Sequence, residues 1–314
     1  MSGAIAHSCP VCQAPALPAD RFCEQCGGRL AGEPCAACGA PAGETDQDGY
    51  CTRCGLREPT AAAHREIDVT IAAGISDRGR VRAENQDALY LDDAIAAVVC
   101  DGISSSERAA EAARRAAQTA GSHLTAAVRE PGADLTIAMA DAICAAQDAV
   151  AEMPAGTISD APGCTIVAAA VRGRDVVVGW VGDSRAYWLG GREASQLTSD
   201  DSWAVEQVRA GVLTAGEAAT DPRAHAVTRW LGSDAPDAPP HVLSVEAGAG
   251  GRLVLCTDGL WNYVPAAAAL KPLIGSDSSA LQAAGAMVDH ALAAGGRDNV
   301  TVLVIDIPPS GRPA

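Results

Sequence analysis

Beyond about residue 67 the chain alternates short apolar runs with long alanine-rich stretches. Apolar runs bounded by polar or glycine breakers predict strands at Ile67–Ile75, Ala88–Leu91, Ala94–Cys100, Cys164–Val171, Asp175–Val181, Arg185–Leu189, His241–Glu246, Arg252–Thr257 and Val300–Ile307. Helices are predicted at Ser105–Arg129, Ala133–Glu152, Ser202–Ala210, Ala215–Ala219 and Ser278–Ala294. Because two long helices follow one another after a group of strands, the order favours an α+β fold over a regular parallel sheet.

The first 58 residues carry a different pattern, made of cysteine pairs. Eight of the 12 cysteines form Cys-x-x-Cys pairs in this segment: Cys9, Cys12, Cys23, Cys26, Cys35, Cys38, Cys51 and Cys54. Two such pairs a hairpin's length apart offer four thiolates to one tetrahedral zinc ion. A segment this short and poor in apolar residues needs metal to fold. It resembles a double zinc ribbon with two structural zinc ions.

The spacing groups the first four cysteines around one ion and the last four around the other, and an interleaved arrangement stays open. A redox dithiol domain is the other interpretation, but that chemistry uses a strand-helix unit that this segment lacks. We therefore expect a ribbon at 1–58, a small-residue linker at 59–66 and a main domain at 67–314. The remaining cysteines, Cys100, Cys144, Cys164 and Cys256, are expected to be buried, inert thiols.

Charge and hydropathy narrow the class of protein. The formal net charge of -16 argues against general binding to nucleic acid or to an anionic membrane surface. The sequence starts without a charged-then-apolar leader and contains no apolar run long enough to cross a bilayer, so we expect a cytoplasmic protein. A reducing compartment also suits thiolates that bind zinc.

Aspartates recur where predicted strands begin or end. Asp87 precedes one strand of a predicted antiparallel hairpin and Asp101 follows the other, so both lie at the same end of the hairpin. Asp258 and Asp298 occupy similar positions later in the chain. Carboxylate oxygens suit Mg²⁺ or Mn²⁺. A single Asp-Gly after a strand is more often a turn than a ligand. The prediction of a metal site therefore depends on the recurrence of aspartates at several strand ends.

Six segments in order resemble the metal-dependent protein phosphatases of the type 2C (PPM) family, over about Ile67 to Ile307. The segments are Ser76–Asp87, Val98–Gly102, Pro162–Thr165, Val181–Tyr187, Thr257–Asn262 and Gly296–Thr301. The resemblance implies a four-layer α-β-β-α sandwich of two antiparallel sheets flanked by helices, with a two-metal cleft at one end. It also implies hydrolysis of phosphoserine and phosphothreonine by direct attack of a water that bridges two Mn²⁺ or Mg²⁺ ions.

The resemblance also implies roles for single residues. Arg82 would bind the phosphoryl oxygens through its planar, always-charged fork. Asp87 and Asp258 would be both catalytic residues and metal ligands. The full set of implied Mn²⁺ or Mg²⁺ ligands is Asp87, Asp101, Gly102 through its carbonyl, Asp258 and Asp298, with Asp160 for a third ion.

Other positions are expected to be structural or to contact substrate. Asp183 and Ser184 would stabilise a turn beside the cleft, and Thr198–Gly232 resembles the family's flap, a mobile part that meets protein substrates. Two positions depart from the family pattern. Ile103 to Ser106 replaces a glycine-rich turn, which puts substrate access in doubt, and Asn262 replaces an aspartate at a position that we expect to be peripheral to the metals.

The predicted function is a bacterial-type serine/threonine protein phosphatase whose zinc ribbons recruit a partner. Its expected partners are phosphorylated proteins, with a bacterial serine/threonine kinase and its targets as candidates. The alternative from another class is a catalytically idle pseudophosphatase module that binds phosphoproteins. A zinc-ribbon nucleic-acid adaptor is a third, disfavoured by the acidic charge. Mn²⁺-dependent hydrolysis of a small aryl phosphate discriminates the first two.

Overall fold

The structure, a computed structural model, describes residues 7–8, 15–16, 38, 40, 51–55, 63–106, 108–155, 161–190, 194–247, 250–275 and 278–309. The chain divides into two compact units, Met1–Thr60 and Ala61–Ala314. In the smaller unit, strand β1 (His7–Ser8) pairs antiparallel with β2 (Pro15–Ala16). The larger unit contains the other elements.

The larger unit consists of short strands and seven α-helices among its described residues. Its strands are β3 (His64–Asp68), β4 (Ala72–Asp77), β5 (Ala88–Leu91), β6 (Ala96–Cys100), β7 (Gly163–Cys164), β8 (Ile166–Arg172), β9 (Asp175–Val181), β10 (Arg185–Gly190), β11 (Ala194–Gln196), β12 (Leu231–Gly232), β13 (His241–Glu246), β14 (Gly251–Cys256) and β15 (Val300–Ile307). Its helices are α1 (Ala109–Arg129), α2 (Leu135–Ala151), α3 (Trp203–Arg209), α4 (Ala215–Thr220), α5 (Asp258–Trp261), α6 (Ala267–Leu270) and α7 (Ala280–Ala293). A 3₁₀ turn covers Lys271–Leu273.

Two larger sheets form the centre of this unit. One has six strands in the order β11-β10-β14-β15-β4-β3, and the other has five in the order β13-β9-β8-β6-β5. Strands β7 and β12 form a separate pair. Every one of these pairings is antiparallel. The two sheets are antiparallel, as predicted.

Apolar side chains divide the unit into four layers. Helices α1 and α2 pack on the five-stranded sheet through Leu124, Met139 and neighbouring alanines. Helix α7, with α5 and α6, packs on the six-stranded sheet through side chains such as Met287. A third cluster, which includes Val178 and Leu303, fills the space between the sheets. This arrangement confirms the α-β-β-α sandwich.

The structure corrects several details. The predicted single strand Ile67–Ile75 is wrong, because the chain turns between β3 and β4, with Thr70 at a φ of 73°. Helix α1 begins at Ala109 rather than at Ser105. Cys144 is exposed on α2, although Cys100, Cys164 and Cys256 are buried as expected. Among the described helices we find none with the length and apolar character that a membrane crossing requires.

Strand β3 begins inside the segment predicted to be a linker, and this gives a test of the domain boundary. His64 Nδ1 donates to Asp77 Oδ2 across the β3–β4 pair at 2.7 Å, and Arg78 N–H donates to Ala63 O at 2.8 Å. The boundary itself stays a prediction.

We expect a fragment of residues 61–314 to be more stable than a fragment of residues 67–314. The shorter fragment lacks His64, Arg65 and Glu66, which pair with β4. Losing these backbone bonds should lower the free energy of unfolding by about 1–3 kcal/mol. Chemical denaturation of both fragments measures the difference, and equal stabilities would show that β3 contributes nothing.

Candidate functional site

A cavity of about 370 Å³ opens where strands of both sheets end. Asp101 follows β6 of the five-stranded sheet, whereas Asp258 follows β14 and Asp298 precedes β15 of the six-stranded sheet. These three carboxylates and Arg82 line the cavity. Asp87, at the start of β5, is 6% exposed and lies in the field of Asp258 and Asp298. The topology therefore brings together the four aspartates that the sequence singled out.

Asp87 is the most constrained of the four carboxylates. Its Oδ2 accepts hydrogen bonds from Thr257 Oγ1 at 2.9 Å and from Thr301 Oγ1 at 2.7 Å. Its Oδ1 is buried and has no hydrogen-bond partner among the described residues. Burial raises the pKa of Asp87 to about 7, although the two hydroxyls lower it. One oxygen is thus fixed by the protein while the other is left for a ligand.

Asp101 and Gly102 directly follow β6. Burial, reinforced by the charges of Asp87 and Asp258, raises the pKa of Asp101 well above its usual range. The backbone N–H of Thr165 donates to Asp101 O at 2.8 Å. A Cβ on Gly102 would lie 2.7 Å from the carbonyl oxygens of Gln86 and Ala109, so only glycine fits here.

Asp258 begins helix α5, which the sequence predicted only as a turn. Asn262 Nδ2 donates to Asp258 Oδ2 at 3.2 Å, so Asn262 is closer to the site than we expected. Burial, followed by the charge of Asp298, raises the pKa of Asp258 to about 6. A Cβ on Gly259 would lie 1.8 Å from Asn299 O, so the start of α5 requires glycine beside β15.

Arg82 and Asp298 form an ion pair in the cavity. Arg82 Nη2 donates to Asp298 Oδ2 at 2.6 Å. The side chains are 38% and 30% exposed, so both groups can also reach a ligand in the cavity. The hydrogen bond and charge of Asp298 raise the pKa of Arg82, which keeps the guanidinium charged. The sequence did not predict that these two groups would pair.

Asn299 positions the loop that carries Arg82, and sequence reasoning assigned it no role. Its Nδ2 donates to Arg78 O at 2.7 Å and to Glu84 O at 2.9 Å. Its Oδ1 accepts from Gln86 N–H at 2.8 Å. The side chain therefore holds both ends of the loop against the start of β15. The only feature of the sequence that could have indicated this role is that Asn299 directly follows Asp298, a predicted metal ligand.

Asp183 and Ser184 support the cavity from the turn between β9 and β10. Asp183 lines the cavity, and burial, with the nearby charge of Asp258, raises its pKa to about 8. Its backbone oxygen accepts from Trp261 Nε1 at 2.9 Å. Ser184 Oγ lies 2.8 Å from Thr165 Oγ1. These contacts agree with the structural role predicted for both residues, and Asp183 also faces the ligand space.

The segment Thr198–Gly232 contributes one wall of the cavity through His225, Val227 and Trp230. Asp201 connects its base to the β9–β10 turn, because Asp201 Oδ2 accepts from Gly182 N–H at 3.0 Å. The predicted third-metal ligand, Asp160, lies outside the described residues.

A separate cluster of thiols lies in the smaller unit. The sulfur atoms of Cys38, Cys51 and Cys54 all lie within 4.8 Å of one another, and those of Cys38 and Cys51 are 3.7 Å apart. The other predicted zinc ligands, Cys9, Cys12, Cys23, Cys26 and Cys35, fall outside the described residues. The cluster contains three of the four cysteines predicted to bind the second zinc ion.

A family model described as Protein phosphatase 2C matches residues 78–294. Among curated proteins, the chain is similar to the serine/threonine protein phosphatase PstP of Mycobacterium tuberculosis. The two are 33% identical over 236 residues, which cover 75% of this chain and 44% of that protein. The chain thus spans less than half the length of this relative.

Solved structures of bacterial serine/threonine phosphatases are also similar to this chain. A crystal structure of the M. tuberculosis serine/threonine phosphatase PstP/Ppp is 30% identical, with a TM-score of 0.62, and the match covers 76% of this chain and 98% of that one. The catalytic domain of PstP has also been solved in complex with two manganese ions, with 30% identity, a TM-score of 0.59 and coverage of 76% and 97%. The family match, the fold and the six ordered segments agree, and the chain belongs to the protein phosphatase 2C family.

Proposed function

We propose that the chain is a metal-dependent protein serine/threonine phosphatase. The observation that carries the proposal is that Asp101, Asp258 and Asp298 line one cavity with Arg82, and that Asp87 is buried within the influence of Asp258 and Asp298. The names of the relatives, serine/threonine protein phosphatase PstP and serine/threonine phosphatase PstP/Ppp, support the substrate class. All five groups are present, which favours an active enzyme over the pseudophosphatase alternative.

The chemistry of the residues fits two divalent metal ions. Four buried or half-buried carboxylates supply oxygen donors of the kind that Mn²⁺ and Mg²⁺ prefer. Asp87 Oδ1, buried without a hydrogen-bond partner in the described part of the chain, is an oxygen donor that fits a bound cation. Asp101, Asp258 and Asp298, with the Gly102 carbonyl, would complete the set. Metal ions held there would activate a water and neutralise charge on the phosphoryl group.

Arg82 would bind the phosphoryl oxygens. Its guanidinium offers several donors in one plane, which matches a phosphate, and its charge is retained at all relevant pH values. The ion pair with Asp298 holds the side chain at the cavity before substrate arrives. Asn299 keeps the Arg82 loop in place, and Asn262 fixes one oxygen of Asp258. These residues would orient the phosphoester rather than react with it.

The direct test is hydrolysis of p-nitrophenyl phosphate by the full-length chain. We expect turnover that depends on Mn²⁺ or Mg²⁺ and is abolished by a chelator. Release of phosphate from phosphoserine and phosphothreonine peptides would then establish the substrate class. Tight phosphopeptide binding without turnover at saturating Mn²⁺ would favour the idle module instead.

Arg82→Ala and Asp258→Asn should affect different steps. Asp258→Asn removes a proposed metal ligand, so it should weaken Mn²⁺ binding and reduce kcat by about 100-fold or more. Arg82→Ala should lower kcat/KM by about 100-fold without weakening Mn²⁺ binding, because Arg82 is not one of the proposed metal ligands and Asp298 stays in place. Arg82→Lys is the matched control, which keeps the charge and loses the fork. Calorimetric Mn²⁺ titration separates the effects, and a loss of Mn²⁺ binding in Arg82→Ala would contradict the assignment.

Asp87→Asn should stabilise the metal-free protein while it impairs metal binding. Folding raises the pKa of Asp87 from 3.8 to about 7, so between these pH values the folded chain retains a proton that the unfolded chain has lost. The contribution of Asp87 to stability therefore falls as pH rises from about 4 to about 7. Without metal at pH 8, the substitution should raise the free energy of unfolding by roughly 1–3 kcal/mol. Denaturation with chelator present measures this, and destabilisation would show that Asp87 is not under electrostatic strain.

We propose that the smaller unit binds two zinc ions, one of them through Cys38, Cys51 and Cys54 with Cys35. Thiolates hold zinc more tightly than carboxylates hold Mn²⁺, so mild chelation should remove activity and leave two zinc ions per chain by elemental analysis. Cys54→Ser should lower the count to about one. Cys144→Ser, at an exposed cysteine of α2, is the matched control and should keep two. Fewer than two zinc ions, with the eight N-terminal thiols freely titratable, would refute the double ribbon.

We also propose that this zinc-binding unit recruits phosphoprotein partners. A bacterial serine/threonine kinase and its targets remain the candidates, because a kinase produces the phosphorylated residues that such an enzyme consumes. The acidic charge of the chain continues to argue against nucleic acid as the partner.

A further inference from the structure

A tryptophan and an aspartate form a second polar feature on the wall of the cavity. Trp230 Nε1 donates to Asp234 Oδ1 at 2.9 Å, and both residues line the cavity that contains Arg82 and Asp298. Trp230 is partly buried and Asp234 is exposed. Asp234 forms no ion pair with any residue of the described ranges. The pair therefore presents an aromatic ring and an uncompensated carboxylate to the same space as the proposed phosphate site.

The pairing of β12 with β7 holds this pair in place. Strand β12 pairs with β7, with Leu231 opposite Cys164 and Gly232 opposite Gly163. A Cβ on Gly163 would lie 3.2 Å from Trp230 Cδ1, so the indole packs directly over the β7 backbone. Ile103 N–H donates to Gly163 O at 3.0 Å, which places the Ile103–Ser106 turn on the same wall. This is the turn that departs from the family pattern.

The charges in the cavity have different proposed partners. The four clustered aspartates face divalent metal ions, and Arg82 faces the phosphoryl group. Asp234 belongs to neither set, because it lies on the wall formed by β12 and, among the described residues, its side chain accepts a hydrogen bond only from the indole. An exposed carboxylate beside an aromatic ring matches a guanidinium or ammonium group, which the ring attracts through its face and the carboxylate through its charge.

We propose that Trp230 and Asp234 form a subsite for an arginine or lysine side chain of the substrate protein, close to its phosphorylated residue. The inference rests on the proposed phosphatase function and specifies its substrates as phosphosites with a basic neighbour. The cavity of about 370 Å³ has room for a phosphorylated side chain and part of one neighbour.

The competing explanation is that the pair only fixes the chain after β12. Asp234→Asn separates the two explanations, because an asparagine oxygen still accepts the indole hydrogen bond while the charge is lost. Asp237→Asn is the matched control. Asp237 is an exposed aspartate of the same segment that lines a different cavity, beside α2. It reports any general attraction between basic peptides and this acidic chain.

The experiment measures kcat/KM of the full-length protein for pairs of phosphothreonine peptides. Each pair differs only by arginine or alanine at one position within about three residues of the phosphothreonine. We expect arginine to raise kcat/KM about fivefold at one or more positions, and the ratio to shrink with added salt. Asp234→Asn should bring the ratio close to one, and Asp237→Asn should keep it. Trp230→Ala should also reduce the ratio.

The outcomes distinguish this inference from the proposed function. Equal rates for arginine and alanine at every position, with both peptides hydrolysed, would overturn the subsite and leave the phosphatase standing. A ratio that Asp237→Asn lowers as much as Asp234→Asn would also overturn it, because the effect would then be the charge of the whole chain. No Mn²⁺-dependent hydrolysis of either the peptides or p-nitrophenyl phosphate would contradict the function and the subsite together.

Discussion

The burial of several carboxylates close together is the physical constraint on which the site in the larger unit depends. Asp87, Asp101 and Asp258 are brought so close together, and so far from water, that burial and neighbouring charge raise the pKa of each. The protein offsets only part of this cost, through two threonine hydroxyls on Asp87 and through the Asn262 amide and the Arg82 charge on Asp258. Such a cluster is unfavourable unless cations occupy it. The cluster therefore lowers the stability of the metal-free fold, and bound cations would relieve that cost.

The antiparallel sandwich explains how so strained a cluster can persist. The start of β5 lies beside the end of β6, and the end of β14 lies beside the start of β15, so each sheet brings its aspartates to one end of its strands. Three apolar clusters fix the positions of these strand ends. Two lie between the helices and the sheets, and one lies between the two sheets. At Gly102 and Gly259 the backbone lies so close to neighbouring backbone atoms that a side chain would force the strand ends apart. Packing outside the cavity therefore fixes the distances between the carboxylates.

The sequence predicted those strands whose bounds are set by neighbouring residues. Strands β5, β9, β13 and β15 were predicted to the residue, because apolar runs there stop sharply at polar breakers. The break at Thr70 gave no such signal. Residues that act across the fold were also missed, since neither the Asn299 brace nor the Trp230–Asp234 pair follows from spacing. The layered architecture and the ligand set came from the resemblance of ordered segments rather than from periodicity.

Anomalous diffraction from crystals of this protein soaked in Mn²⁺ tests the central claim most directly. The account predicts two strong manganese peaks in the cavity, both within bonding distance of carboxylate oxygens, with Asp87 Oδ1 ligating one of the ions. It also predicts that Arg82 stays beside the cavity, free to meet a phosphoryl group. Manganese bound elsewhere, or a well-ordered cavity that stays without metal at saturating Mn²⁺, would contradict it.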